Sequence, residues 1–193
     1  MSGAPAPVVL VLGFGPFADI ADNPAARLAR AVHDAQAGRA RVRGEVMPVS
    51  YHRAARLTLE RTQAVAPVAV LGIGIARGRA RPALELHAFN DVSGLDIDGQ
   101  CPGRLDLRGP PRVEATADCH SLGRALDVDL SPDPGRYVCN AWLYRACHPP
   151  SRRRPPAAFL HIPASGFSPE RLIAGLAATW GRAARIPALE TSP

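Results

Sequence analysis

The chain has 193 residues, 47% of them hydrophobic and 21% charged, enough for one domain with a sizeable core and too few for two comfortable ones. No apolar run approaches the roughly 20 residues of a membrane span. The formal charge of +6 raises nucleic acid as a partner, but all 23 basic residues are Arg and aromatics make up only 5% of the chain, so little is available for base stacking and no specific nucleic-acid partner is expected.

In chain order, residues 8–14 are apolar and β-branched and predict a buried strand ending at Gly13-Phe14-Gly15-Pro16. No basic segment precedes this run and no small-residue cleavage site follows it, so a cytoplasmic protein without a membrane partner is expected. Asn23-Pro24 predicts a helix start, with an apolar side up to about His33. Residues 40–49 predict a second strand, and residues 52–66 a helix closed by Pro67. A third strand is expected over 68–71 and a fourth over 83–89. Gly13, Gly15, Gly72 and Gly74 do not complete the spacing of a nucleotide-binding loop and are taken as tight-turn glycines.

Residues 91–118, rich in Gly, Pro and Asp, predict an excursion from the sheet. Helices are expected over 120–127 and over 139–148, the second stopped by Pro149-Pro150. The run Arg152-Arg153-Arg154, between proline pairs, is expected in a solvated loop. A last strand is expected at 157–162, and Ser168-Pro169-Glu170 caps a final helix running to about Ala184. Strands separated by helices imply a mostly parallel sheet covered on both faces, with ligands beyond its carboxyl ends. No linker divides the chain, so a single domain over 1–193 is expected.

Three residues stand out for chemistry. Of the cysteines at 101, 119, 139 and 147, no two have the spacing of a zinc or redox motif; reduced thiols and no metal are expected. Cys139 falls where a helix begins, facing unpaired amides and the positive end of the helix dipole, which favours thiolate and suits a developing oxyanion. By itself it reads better as a packed cysteine at a helix start. His161 ends a strand, where a sheet presents residues to its active end, and paired with Cys139 it would serve as general base. Glu85, in a largely apolar strand, needs a partner such as an imidazole N–H; alternatively it faces solvent beside His87, since alternation puts Glu85, His87 and Phe89 on one face.

In this order the motifs resemble those of the pyroglutamyl peptidase I family, the pyrrolidone-carboxylate peptidases. Gly13-Phe14-Gly15-Pro16-Phe17 with Asn23-Pro24 resembles the opening motif, Gly74 through Gly78-Arg79 to Glu85 and Asn90 the glutamate segment, Gly135 to Asn140 the nucleophile segment, and His161 to Pro163 the histidine segment. The resemblance implies a three-layer α/β/α sandwich with a twisted, mostly parallel sheet, and a cysteine peptidase removing N-terminal pyroglutamyl residues. It implies a Cys139–His161–Glu85 triad and no cofactor. Phe14, Phe17 and Tyr137 would be pocket aromatics, or Phe14 and Phe17 simply core; Asn23 would give a backbone contact. The implied partners are a small peptide or lactam-amide substrate and further copies in a homodimer or homotetramer. Three departures fall near the pocket: Ile75 stands where a Gln is common, Leu86 where an Arg follows the glutamate, and Ser93-Gly94-Leu95 where Asp-Ala-Arg is usual. They leave open another small lactam or N-acyl amide as substrate, or a non-catalytic binding relative.

Overall fold

A computed structural model describes residues 6–148 and 154–181. Its main sheet contains β1 (Val8–Phe14), β2 (Gln36–Ala37), β3 (Ala40–Met47), β4 (Ala69–Ile75), β5 (Ala83–Glu85), β8 (Asp129–Ser131) and β9 (Ala157–Ile162), in the order β2-β3-β1-β4-β9-β5-β8. β3, β1, β4 and β9 run parallel, β2 runs against β3, and β5 runs against β9 while pairing parallel with β8. A separate ribbon pairs β6 (His87–Phe89) with β7 (Arg112–Glu114).

Alternation along the strands divides the core in two. Val9, Val11, Leu71, Ile73, Ala158, Leu160 and Ile162 point to one face and pack under α1 (Pro24–Ala31), α3 (Cys119–Leu126) and α5 (Pro169–Thr179). Leu10, Leu12, Phe14, Val70, Ala157 and Phe159 point to the other, under α2 (Arg53–Val65) and α4 (Val138–Cys147). The result is the expected three-layer sandwich. Each large side chain taken fully from water contributes about 1.5–3 kcal/mol, and Leu10, Leu12 and Leu71 are all 0% exposed.

Three glycine expectations need correction. Gly13, Gly72 and Gly74 lie inside strands, not in turns. At Gly13 the reason is close approach, since a Cβ would run into the Ala25 carbonyl of α1. Gly72 has the same logic on the other face, where a Cβ would stand 2.6 Å from both Phe159 Cδ2 and Trp142 Cζ3.

The strand expected over 83–89 breaks at Leu86, with β5 in the main sheet and β6 in the ribbon. α5 ends at Thr179, short of the expected Ala184, which lies outside the described residues, as do Pro149-Pro150, Arg152 and Arg153. All four cysteines are free thiols. Among the described residues no helix is long and apolar enough to cross a membrane.

Candidate active site

α4 carries Cys139 in its first turn. Its cap residue, Tyr137, is extended (φ −104°, ψ −163°) and makes no side-chain cap bond, whereas Asn23, Asp118 and Ser168 each cap their helices with a side-chain oxygen. The first-turn amides of Val138, Cys139 and Asn140 therefore open the helix without an intrahelical acceptor. The Cys139 sulfur lies over β4: a Cβ on Gly74 would stand 2.9 Å from it. Gly74 is in turn the register partner of His161 on β9. The small residue at 74 thus admits the thiol to the carboxyl end of the sheet, over the strand position paired with His161.

Glu85 reaches the same place from β5. It is 0% exposed, which removes the alternative of a solvent-facing carboxylate. In the antiparallel β5–β9 pair Ala83 faces His161, so Glu85 is the diagonal neighbour of His161 on the same face. Its Oε1 accepts from His161 Nδ1 at 2.7 Å. With Nδ1 committed as donor, the lone pair of the neutral ring lies on Nε2. The edge of the imidazole packs against Phe159, 4.9 Å between centroids. The three residues expected to act together are brought to one end of the sheet.

The expectation of a ready thiolate is not met. Burial pushes the Cys139 thiol up to about 12, with the Glu85 charge adding to the rise and only a bond to the residue's own backbone opposing it. Burial thus works against the thiolate that a helix start favours, although the residue is only partly buried.

The remaining site residues divide. Tyr137 and Phe17 are half-buried beside each other, 6.4 Å between centroids. Tyr137 packs edge-on against Tyr51 at 6.0 Å and donates its hydroxyl to the Leu95 carbonyl at 2.9 Å. Phe14 is 2% exposed and packs on Phe159; of its two expected roles, core residue is the one its burial fits. Asn23 spends its side chain on Gly15 O (2.8 Å) and Ala25 N (2.9 Å), and its carbonyl accepts from Arg27 N, fixing the turn between β1 and α1. Ile75 ends β4 opposite Ile162, and alternation sends its side chain to the face away from Gly74 and the sulfur.

Several residues to which sequence reasoning gave no role, Arg79 and Asn140 of the quoted motifs among them, hold the site together. Arg79 forms an ion pair with Glu85 Oε1 at 3.0 Å. Asn140, one position after the cysteine, clamps β6 through Phe89 N (2.7 Å), Phe89 O (2.9 Å) and Asp91 O (3.1 Å). Arg136 stacks on Phe89 and pairs with Asp91 and Asp133. The Tyr51 hydroxyl donates to the carbonyls of Ser93 and Gly94, both at 3.0 Å. Inside the excursion, Asp96 accepts from the amides of Tyr51, Asp98 and Gln100; although burial works against its charge, these bonds hold its carboxyl below the usual range. The segment without periodicity is an ordered loop tied to the start of α4.

This arrangement has known counterparts. The family model described as Pyroglutamyl peptidase matches residues 8–178. A pyrrolidone-carboxylate peptidase of Halalkalibacterium halodurans is 33% identical over 169 residues, covering 82% of this chain and 84% of its own. One from Saccharolobus islandicus is 27% identical, covering 80% and 78%. Among solved structures, pyroglutamyl peptidase I of Bacillus amyloliquefaciens superposes with a TM-score of 0.81 at 23% identity, covering 91% of this chain and 97% of its own. The pyrrolidone carboxyl peptidase of Thermococcus litoralis gives 0.80 at 24%, covering 90% and 91%. At these identities the two structures bear on the fold.

Proposed function

The chain belongs to the pyroglutamyl peptidase family, and on that premise we propose that it removes N-terminal pyroglutamyl residues from peptides, with Cys139 as nucleophile, His161 as general base and acid, and Glu85 as the group that orients His161. The observation that carries this assignment is the 2.7 Å bond from His161 Nδ1 to the buried Glu85, with the Cys139 sulfur set over the strand position facing that histidine.

The chemistry follows from the protonation states. Because the thiol is protonated at rest, His161 Nε2 takes its proton as sulfur attacks the pyroglutamyl carbonyl. The C–S bond forms, and the carbonyl π pair moves to oxygen, which the first-turn amides of α4 are placed to receive. Collapse of the tetrahedral intermediate breaks the C–N bond, and the imidazolium gives its proton to the leaving amine. Water, deprotonated by the same nitrogen, then cleaves the thioester, releasing pyroglutamate and restoring the thiol. Glu85 stays ionised and stabilises the imidazolium in both halves.

A pyroglutamyl ring is flat and lacks an ammonium group, so apolar faces with lactam-directed hydrogen bonds suit it. Phe17 and Tyr137 are the half-buried rings available beside α4, and Phe14 supports them from the core. Asn23 contributes by fixing the turn that carries Phe17. The second substrate class is another small lactam or N-acyl amide, with Ile75 where a Gln is common in the family but directed away from the sulfur. We place the reaction in one cytoplasmic hydrolase domain spanning 1–193, with no cofactor and no specific nucleic-acid partner, assembled as a homodimer or homotetramer.

Hydrolysis of a fluorogenic pyroglutamyl amide by wild type and Cys139→Ala tests the assignment. Turnover by wild type that vanishes in the variant is expected. Turnover surviving in Cys139→Ala would remove the nucleophile. An inactive wild type that cleaves an N-acetylaminoacyl amide or the amide of another small lactam acid would transfer the machinery to the second substrate class.

A further inference from the structure

Glu85 Oε1 accepts from His161 Nδ1 at 2.7 Å and forms an ion pair with Arg79 Nη1 at 3.0 Å. Its other oxygen, Oε2, is buried without a partner among the described residues. A carboxylate this deep is costly as an anion unless a cation stays with it. His161 cannot be that cation throughout, because it must be neutral to accept the thiol proton. Arg79 is charged at every working pH and is itself held in place, its Nη2 donating to Ser131 Oγ at 2.8 Å and to the Asp133 carbonyl at 3.0 Å. Those two acceptors lie in β8 and in the segment leading to Cys139, so one side chain spans three parts of the site.

We propose that Arg79 is a positioning residue: it pairs with the buried Glu85 carboxylate, holds its Oε1 toward His161 and offsets part of its pull on the imidazole. The proposal rests on the catalytic roles given above. The groups facing the pair are few. Cys139 comes from α4, and Cys119 from α3, its thiol 3.8 Å from the Glu85 carbonyl. Behind Arg79 stands Asp133, already paired with Arg136 at 2.7 Å. Without Arg79, Glu85 would act on His161 undiluted, and an imidazole beside an unshared carboxylate holds its proton to higher pH.

Arg79→Gln removes the charge and keeps a hydrogen-bond donor; Arg79→Lys keeps the charge. The imidazole of His161 is followed by NMR titration, its resonance assigned by its loss in His161→Asn, and folding is checked by circular dichroism. In Arg79→Gln the His161 titration midpoint is expected to rise by about one pH unit, with the acid limb of kcat/KM moving by the same amount, while Arg79→Lys remains near wild type. An unmoved or lowered midpoint in a folded Arg79→Gln, or an equal shift in both variants, would overturn the proposal. The NMR titration needs no substrate, so it decides the Arg79 role even if pyroglutamyl amides prove not to be cleaved.

Discussion

Replacing Gly74 by Ala tests whether the sulfur is seated by the sheet. The backbone at 74 is not in the left-handed region, so the whole effect comes from the added methyl. That carbon would stand 2.9 Å from Cys139 Sγ and 2.9 Å from Phe159 Cζ. Comfortable contact begins near 3.5 Å, so sulfur and ring must each retreat by roughly half an ångström. Phe159 is 0% exposed and wedged against Phe14 and Trp142, which leaves the shorter thiol side chain to move. Overpacking of this kind costs about 1–3 kcal/mol of stability. A nucleophile displaced by a full ångström loses about 100-fold in rate, so half that displacement predicts a kcat about 10-fold lower. Gly72→Ala is the control: its methyl meets Phe159 and Trp142 at 2.6 Å, predicting a larger stability loss and a smaller rate effect. Urea denaturation and kcat on a pyroglutamyl amide separate the two. If Gly74→Ala folds with wild-type kcat, or Gly72→Ala loses more kcat than Gly74→Ala, the sulfur is not seated as described.

The thiols give a pH signature. Cys139 and Cys119, both driven mainly by burial, rise from 9.0 to about 12. A proton held more tightly when folded contributes stability that is complete below about pH 9 and lost as pH rises toward 12. Denaturation midpoints should therefore decline above pH 9, and a flat profile to pH 11 would contradict the burial. At neutral pH, iodoacetamide should label exposed Cys101 before Cys139, an order that mass spectrometry reads directly; Cys139 labelling first would restore the ready thiolate. Tyr137→Phe leaves the Leu95 carbonyl without its donor, a loss of about 1 kcal/mol. Raised KM with kcat nearly retained is the expected pattern, and unchanged kinetics would separate the 93–95 segment from substrate binding.

The long elements were legible because their patterns are local. β1 and β9 fall where apolar runs predict them, and α1 starts at the Asn-Pro pair that caps it. Cys139, His161 and Glu85 were candidates from their places at a helix start, a strand end and an apolar strand, but each alone had a structural reading, and it was the order of the family motifs that joined them. The glycines of β4 were misassigned because Gly in a strand signals what approaches it, and Phe159, Trp142 and Cys139 come from distant sequence. The break at Leu86 was invisible since alternation continues through it while the chain changes sheets. The loop around Asp96 and the clamp at Asn140 depend on backbone amides, which carry no residue-type signal. The thiol's protonation was misjudged for a related reason: a helix start can be read from sequence, but the depth to which it is buried cannot.

The reversed direction of β5 has a consequence for how this chemistry can be modified. A strand parallel to β9 would need a crossover of a dozen or more residues entering from the far end of the sheet. Because β5 runs the other way, residues 76–82 pass from the carboxyl end of β4 to β5 over the end of β9, and they are all the chain that is required. That short stretch delivers Arg79 on its way to Glu85, so the cation of the pair arrives on an exchangeable cassette while the anion stays in β5. Grafting a relative's 76–82 stretch between Ile75 and Ala83 would retune the proton transfer while leaving every strand pairing in place.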